Sequence, residues 1–395
     1  MKISKLKNPI LNYEWGSKTD IPEMSGISPD NKPQAEMWMG AHIKASSEVL
    51  IENNWIPLID LLKKSPVEIL GQKNSEKFLN EFPFLFKILA AQKPLSIQSH
   101  PDLKQAKIGF EKENIKNILI DDFKRSYKDS NHKPELICAL KPFTVLIGFR
   151  PLDQIISNLS FLSKTSLKNK FENLKQNKNK QSLKILYQSL MTLSNNDKYQ
   201  ILDIIKQDLN LNTSLEWKWV NILYDHYNND LGIISPLYLN LITLNPGQAL
   251  YVPSGELHAY LNGLGIELMA NSDNVLRGGL TKKFIDIDEL LSILTYRYGN
   301  LNIIEPVMKN NCEFVYKTEA EEFELSVIKI DNDDYYNNIR NIQILFCIKG
   351  NAIIYEKNEV PIKITKGDSL IVSASSSSYI IKGNATIYKA SVHCN

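Results

Sequence analysis

Long apolar runs, close cysteine pairs and a surplus of charge of either sign are all missing from this sequence. No stretch approaches the roughly 18–20 consecutive apolar residues that a membrane helix requires, so no membrane-spanning segment is expected. Between Met1 and Ser17 the apolar residues are interrupted by Lys5, Lys7, Asn8, Pro9 and Glu14, and no secretory signal is expected there. The four cysteines, Cys138, Cys312, Cys347 and Cys394, are scattered along the chain, which argues against a disulfide framework and fits a reduced cytoplasm. Cys347, within an apolar run, reads as a small buried hydrophobe. Forty-six Lys and Arg oppose forty-four Asp and Glu, so no global field recruits nucleic acid or an anionic membrane. Any anionic ligand must be caught locally.

What is present is an ordinary globular composition, 43% hydrophobic and 23% charged, spread over 395 residues. That length exceeds a single core, and two or three domains are expected. Residues 1–150 mix short apolar runs with turn residues and end in a β-rich stretch, Phe143 to Arg150, stopped by Pro151. Residues 152–230 then carry Leu and Ile at helical spacing and contain no Pro, which predicts a helical block. Its seven lysines between Phe161 and Leu190 face the single acid Glu172 and read as a solvated helix face rather than a nucleic-acid patch. After Pro236 the β signature returns. From about residue 305 strand-like runs alternate with polar turns, at 323–330, 342–348, 352–355, 369–372, 379–381 and 385–388, predicting an all-β barrel or sandwich.

Three segments carry chemistry. In the first, Asn245 to Gly263, Gly247 opens a hairpin, Leu250 to Val252 form a strand, and Pro253, Ser254 and Gly255 turn the chain so that His258 begins the next strand. In the second, Pro94 to Asp102, side chains two apart share a strand face, so Gln98 and His100 look into one cavity and Pro101 ends the ladder. In the third, Tyr127 to Leu140, Glu135 sits at the mouth of an apolar strand, where a carboxylate must be paired or bind a cation. Together Gln98, His100, Glu135 and His258 supply two imidazoles, a carboxylate and an amide oxygen. That donor set suits Zn²⁺ and leaves Mn²⁺ or Fe²⁺ open.

Gly247, Pro253, Gly255, His258 and Asn262 fill every fixed position of the second cupin signature, so the segment resembles cupins, jelly-roll β-barrels that use this histidine as a metal ligand. The resemblance narrows further. The segments around His100 and Glu135, the run Asn271 to Phe284, and the N-terminal motifs Tyr13 to Gly16 and Ala35 to Gly40 look like the defining motifs of type I mannose-6-phosphate isomerases, in matching order over the first 300 residues. Lys282 departs from that pattern, standing where relatives often have Pro. The resemblance implies one Zn²⁺ per chain on Gln98, His100, Glu135 and His258, with Arg277 as the catalytic-site arginine, and a sugar phosphate as the partner. Such an enzyme moves a proton between C1 and C2 of mannose 6-phosphate through a cis-enediol to give fructose 6-phosphate.

Other roles rest on residue chemistry. Lys133 is a proton shuttle or a phosphate contact, and His132 competes for the shuttle role. Ser96, Lys87, Arg277 and Lys283 are candidate anion contacts, while Glu267 and Asp273 hold sugar hydroxyls or orient Arg277. Lys87, inside an apolar run, needs a partner if buried. A second copy of the metal segment's spacing runs from Lys366 to Gly383. Gly367 and Gly383 fall at Gly247 and Gly263, but Ser373, Ser375 and Ser378 stand at Pro253, Gly255 and His258, predicting a metal-free cupin repeat.

The expected fold is therefore mainly β with an α insertion: a catalytic cupin unit from residues 1–150 and 231–305, a helical domain over 151–230, and a C-terminal cupin-like β-barrel over 306–395. A monomer is expected. The rival functions are a metal-dependent cupin oxygenase and a non-catalytic sugar-phosphate sensor. A nucleotidyltransferase fused to an isomerase is disfavoured by the lack of a Gly-rich nucleotide loop near the N-terminus.

Overall fold

The computed structural model describes residues 2–209, 211–331 and 333–393; Cys394 lies outside them, while Cys138, Cys312 and Cys347 are buried and free. Two antiparallel sheets, of ten and eleven strands, form the bulk of the molecule. Among the described residues no helix is long and apolar enough to cross a membrane.

The ten-stranded sheet is organised by the long strand His258–Ala270. Its first residues pair with Phe143–Phe149, with His258 opposite Ile147. Its second half pairs with Phe84–Ala91 on one side, Glu267 opposite Lys87, and with Glu135–Ala139 on the other, Glu267 opposite Ile137. The change of partners needs a bend at Gly263. There φ is +136° and an added Cβ would lie 2.6 Å from the Pro142 carbonyl oxygen, so only glycine fits. The C-terminal sheet repeats the device: the strand Tyr379–Ser391 bends at Gly383, also at φ +136°, where a Cβ would lie 2.7 Å from the Asn351 carbonyl oxygen. The repeat read from the sequence is thus a repeat of backbone geometry.

In the tail, Gln343–Glu356 and Tyr379–Ser391 are each one continuous strand where the sequence predicts two short ones. Gly350 and Gly383 bend these strands without breaking their ladders. Neither sheet closes into a ring; both fold over as jelly rolls. Phe84, Phe86 and Leu268 of the first pack against Phe323, Leu325 and Phe346 of the second in one buried cluster. The fold is mainly β with an α insertion and two cupin-type jelly rolls, as expected.

The N-terminal segment also contributes to the C-terminal sheet. The strands Ile3–Lys7, Glu48–Ile51 and Asn54–Pro57 pair within the C-terminal sheet, with Ile3 opposite Val372. Helices occupy Leu152–Asn158, Lys168–Gln176, Lys180–Met191, Asn195–Asp208 and Leu215–Tyr227. Asn179, Ser194 and Ser214 cap the last three by accepting from backbone N–H groups. Most of their leucines are buried, although Leu215 and Ile222 are exposed, and most of the lysines between 161 and 190 are exposed, the solvated face that the charge pattern suggests. Contacts that tie the block to the first sheet and its flanking loops include Tyr227 donating to the Pro94 carbonyl, Asp230 accepting from the backbone of Thr281, and the ion pair of Arg150 with Glu216 at 3.1 Å.

Candidate metal centre

The short strand Ile97–Ser99 places Gln98 beside His258, and the backbone of Arg277 lies across from it. His100 follows immediately and is 1% exposed. Its Nδ1 lies 2.7 Å from the Asn274 carbonyl oxygen, so Nδ1 carries the proton and Nε2 presents a lone pair inward. His258 is oriented alike, with Nδ1 3.2 Å from the Glu256 carbonyl. The two Nε2 atoms meet the Glu135 carboxylate, His100 at 3.2 Å from Oε1 and His258 at 3.4 Å from Oε2. One donor atom from each of the three residues lies within 4.8 Å of the others. The Gln98 amide nitrogen donates to Ser96 Oγ at 3.2 Å, leaving its carbonyl oxygen available.

The electrostatics match a cation. Burial, reinforced by Lys133, pushes the His100 imidazole down to about 4, so it is neutral. Burial alone would raise Glu135, but Lys133 and His100 outweigh it and hold the carboxyl well below its ordinary value. Lys133 Nζ sits 3.0 Å from Glu135 Oε1, and the Tyr260 hydroxyl donates to Oε2 at 3.0 Å. Despite its proximity to Glu135, His100 Nε2 is a buried nitrogen without a hydrogen bond. An orphaned lone pair, an ionised carboxylate and imidazoles fixed from behind by carbonyls fit a divalent metal, since ligating imidazoles characteristically donate their other N–H to such groups.

Beside this cluster lies a cavity of about 60 Å³, room for an ion and a few waters at roughly 10–15 Å³ each. Ser96, Lys87, Lys133 and Glu267 line it together with Gln98, Glu135 and His258. Lys87 has the partner its burial demands: Glu267 at 2.7 Å, with Glu36 at 3.9 Å. Burial lowers the Lys87 ammonium, but those carboxylates reverse the effect and raise it. Burial raises the Glu267 carboxyl, and Lys87 opposes the shift only in part.

Other expected site residues lie elsewhere. His132 does not line the cavity; its Nε2 is 2.6 Å from Glu322 of the C-terminal sheet region, and that pairing turns it away. Asp273 is held by Lys44 at 2.8 Å, with His42 Nε2 at 3.6 Å, and has no contact with Arg277. Arg277 and Lys283 stand outside the cavity, close enough that Arg277 and Lys44, after burial, depress the Lys283 ammonium. The sequence reading missed Tyr260, two residues beyond His258 on one strand and so on the same face. It also missed Glu36, which accepts from Trp38 Nε1 at 2.6 Å, and Asn274, the carbonyl partner of His100.

Fold and site together define a cupin-type protein with a buried centre of two histidines and one carboxylate suited to a metal. The pattern of the family "Phosphomannose isomerase type I, catalytic domain" matches residues 3–152, and that of "Mannose-6-phosphate isomerase, cupin domain" matches residues 312–392. The chain is 38% identical over 380 residues to the mannose-6-phosphate isomerase of Salmonella typhimurium, covering 95% of this chain and 96% of that protein. It is 36% identical to that of Escherichia coli, covering 98% of each. A crystal structure of zinc-bound mannose 6-phosphate isomerase superimposes with a TM-score of 0.93 at 35% identity over the whole of both chains. The chain belongs to the type I mannose-6-phosphate isomerase family.

Proposed function

We propose that this protein is a zinc-dependent aldose-ketose isomerase that interconverts mannose 6-phosphate and fructose 6-phosphate through a cis-enediol. The observation that carries the reading is the convergence of His100 Nε2, His258 Nε2 and the Glu135 carboxylate within 4.8 Å, each fixed by neighbours that leave its donor atom inward. His100, His258, Glu135 and the Gln98 carbonyl would hold one Zn²⁺, which supplies Lewis-acid stabilisation of charge on the sugar oxygens. Relatives named for this isomerase and a zinc-bound neighbour support the assignment. The oxygenase and sensor readings draw no support from them.

The remaining roles follow from position. Lys133, in the cavity wall, moves the proton between C1 and C2, and Ser96 and Glu267 receive sugar hydroxyls. Lys87 keeps Glu267 in place. Arg277 meets the negative charge of the enediol from the rim, and Lys283 takes the phosphate, whose binding energy aligns the reacting carbons. His132 and Asp273 are committed to Glu322 and Lys44 instead. We also propose that the protein works as a monomer. The buried, unpaired cysteines support a cytoplasmic location.

Isomerase assays on purified protein before and after chelation test the proposal. Activity should disappear with the metal and return with added zinc. Turnover that survives complete metal removal would refute it.

A further inference from the structure

Between the N-terminal strands and the C-terminal jelly roll lies a cavity of about 410 Å³. That volume is within the roughly 300–1,000 Å³ range of small-molecule sites. The strand Tyr379–Ser391 starts opposite Glu356, which lines the cavity.

Glu356 is unusual. It follows Ala352 and Ile354 along the inward face of its strand and is 8% exposed. Among the described residues neither carboxylate oxygen has a hydrogen-bond partner. A buried carboxylate left in that state is costly, and a cation with N–H donors relieves it. The nearest ammonium is already engaged: Lys2 pairs with Glu359 at 2.9 Å. With Glu52 the wall carries three carboxylates against that one ammonium, a net negative site. Apart from Ser4 the remaining wall is aliphatic, including Ile3, Ile354 and Ile362.

We propose that this cavity is a second binding site, taking a small aliphatic primary ammonium compound whose charged head pairs with Glu356 and whose alkyl stem lies on the isoleucines. A divalent metal fits less well, because such ions take several oxygen ligands and Glu356 is the one buried carboxylate of the wall.

The test titrates butylammonium chloride, and separately 1-butanol, into the zinc-loaded full chain by NMR. Saturable binding of butylammonium, with no binding of the uncharged alcohol, is expected. Glu356→Gln should weaken it by about tenfold or more, the loss expected for a charge-assisted contact, with isomerase activity unchanged. Absence of saturable butylammonium binding, equal binding of 1-butanol, or full affinity in a folded Glu356→Gln variant would each overturn the proposal. The ammonium and alcohol comparison is made on the unmodified protein and decides the matter even if the variant does not fold.

Discussion

Lys133 and His258 touch the same carboxylate but are assigned different work, and substitution separates them. Lys133→Ala should lower kcat by roughly 10²- to 10⁴-fold, the usual worth of a positioned proton carrier, while zinc content stays at the level of the unmodified protein. Loss of zinc in that variant would make Lys133 a structural partner of Glu135. His42 offers a test of the electrostatics away from the metal ligands. Burial holds its imidazole down to about 4, against the pull of Asp273. A neutral histidine in the fold and an ordinary one in the unfolded chain mean full stability above about pH 6.5 and a progressive loss as pH falls toward 4, about 3 kcal/mol in all. Urea midpoints of metal-free protein should fall across that window, and His42→Gln should shallow the fall. At this scale much was legible in the sequence: Gln98, His100, Glu135 and His258 stand in turn and strand contexts that fix their direction. The commitments of His132 to Glu322 and of Asp273 to Lys44 were not, because each partner lies far away in the chain.

Elements were legible where a local rule governs them. The Pro-Gly and Pro-Ser-Gly turns around the strand Ala249–Val252, and the capped helices beyond residue 179, follow from turn and cap chemistry. The helix Leu103–Ile115 was missed, since Leu103, Ile108 and Ile115 are exposed and make no apolar stripe. Its signal was the capping box: Asp102 accepts from Gln105 N–H, and the Gln105 side chain accepts from Asp102 N–H. Asp102→Ala should destabilise the protein by about 1 kcal/mol, read as a shift in the urea midpoint. The bent strands make a larger claim. Gly383→Ala forces a side chain into a left-handed conformation against the Asn351 carbonyl and should cost about 2 kcal/mol or more. Zinc content should be unchanged, because the bend lies in the C-terminal sheet. An unchanged urea midpoint would show that the bend tolerates a side chain.

The molecule as a whole ties its ends together. Ile3–Lys7 forms ladders with both Ser369–Val372 and the Glu48–Ile51 strand, so a chain lacking residues 1–9 should expose an edge of the C-terminal sheet. Limited proteolysis should then cut first beyond residue 306, and an unaltered cleavage pattern would contradict the shared sheet. Pairing across more than 360 positions has no local signature, which is why a sequence reading that assigns residues 1–150 wholly to the catalytic unit cannot see it. The same long-range assembly gathers the donors from three distant segments into one centre. Metal analysis of purified protein alongside His258→Ala tests that convergence most directly. One zinc per chain in the first and almost none in the second is the predicted result; a variant that keeps its full zinc, or an unmodified chain that takes up none at saturating supply, would contradict it.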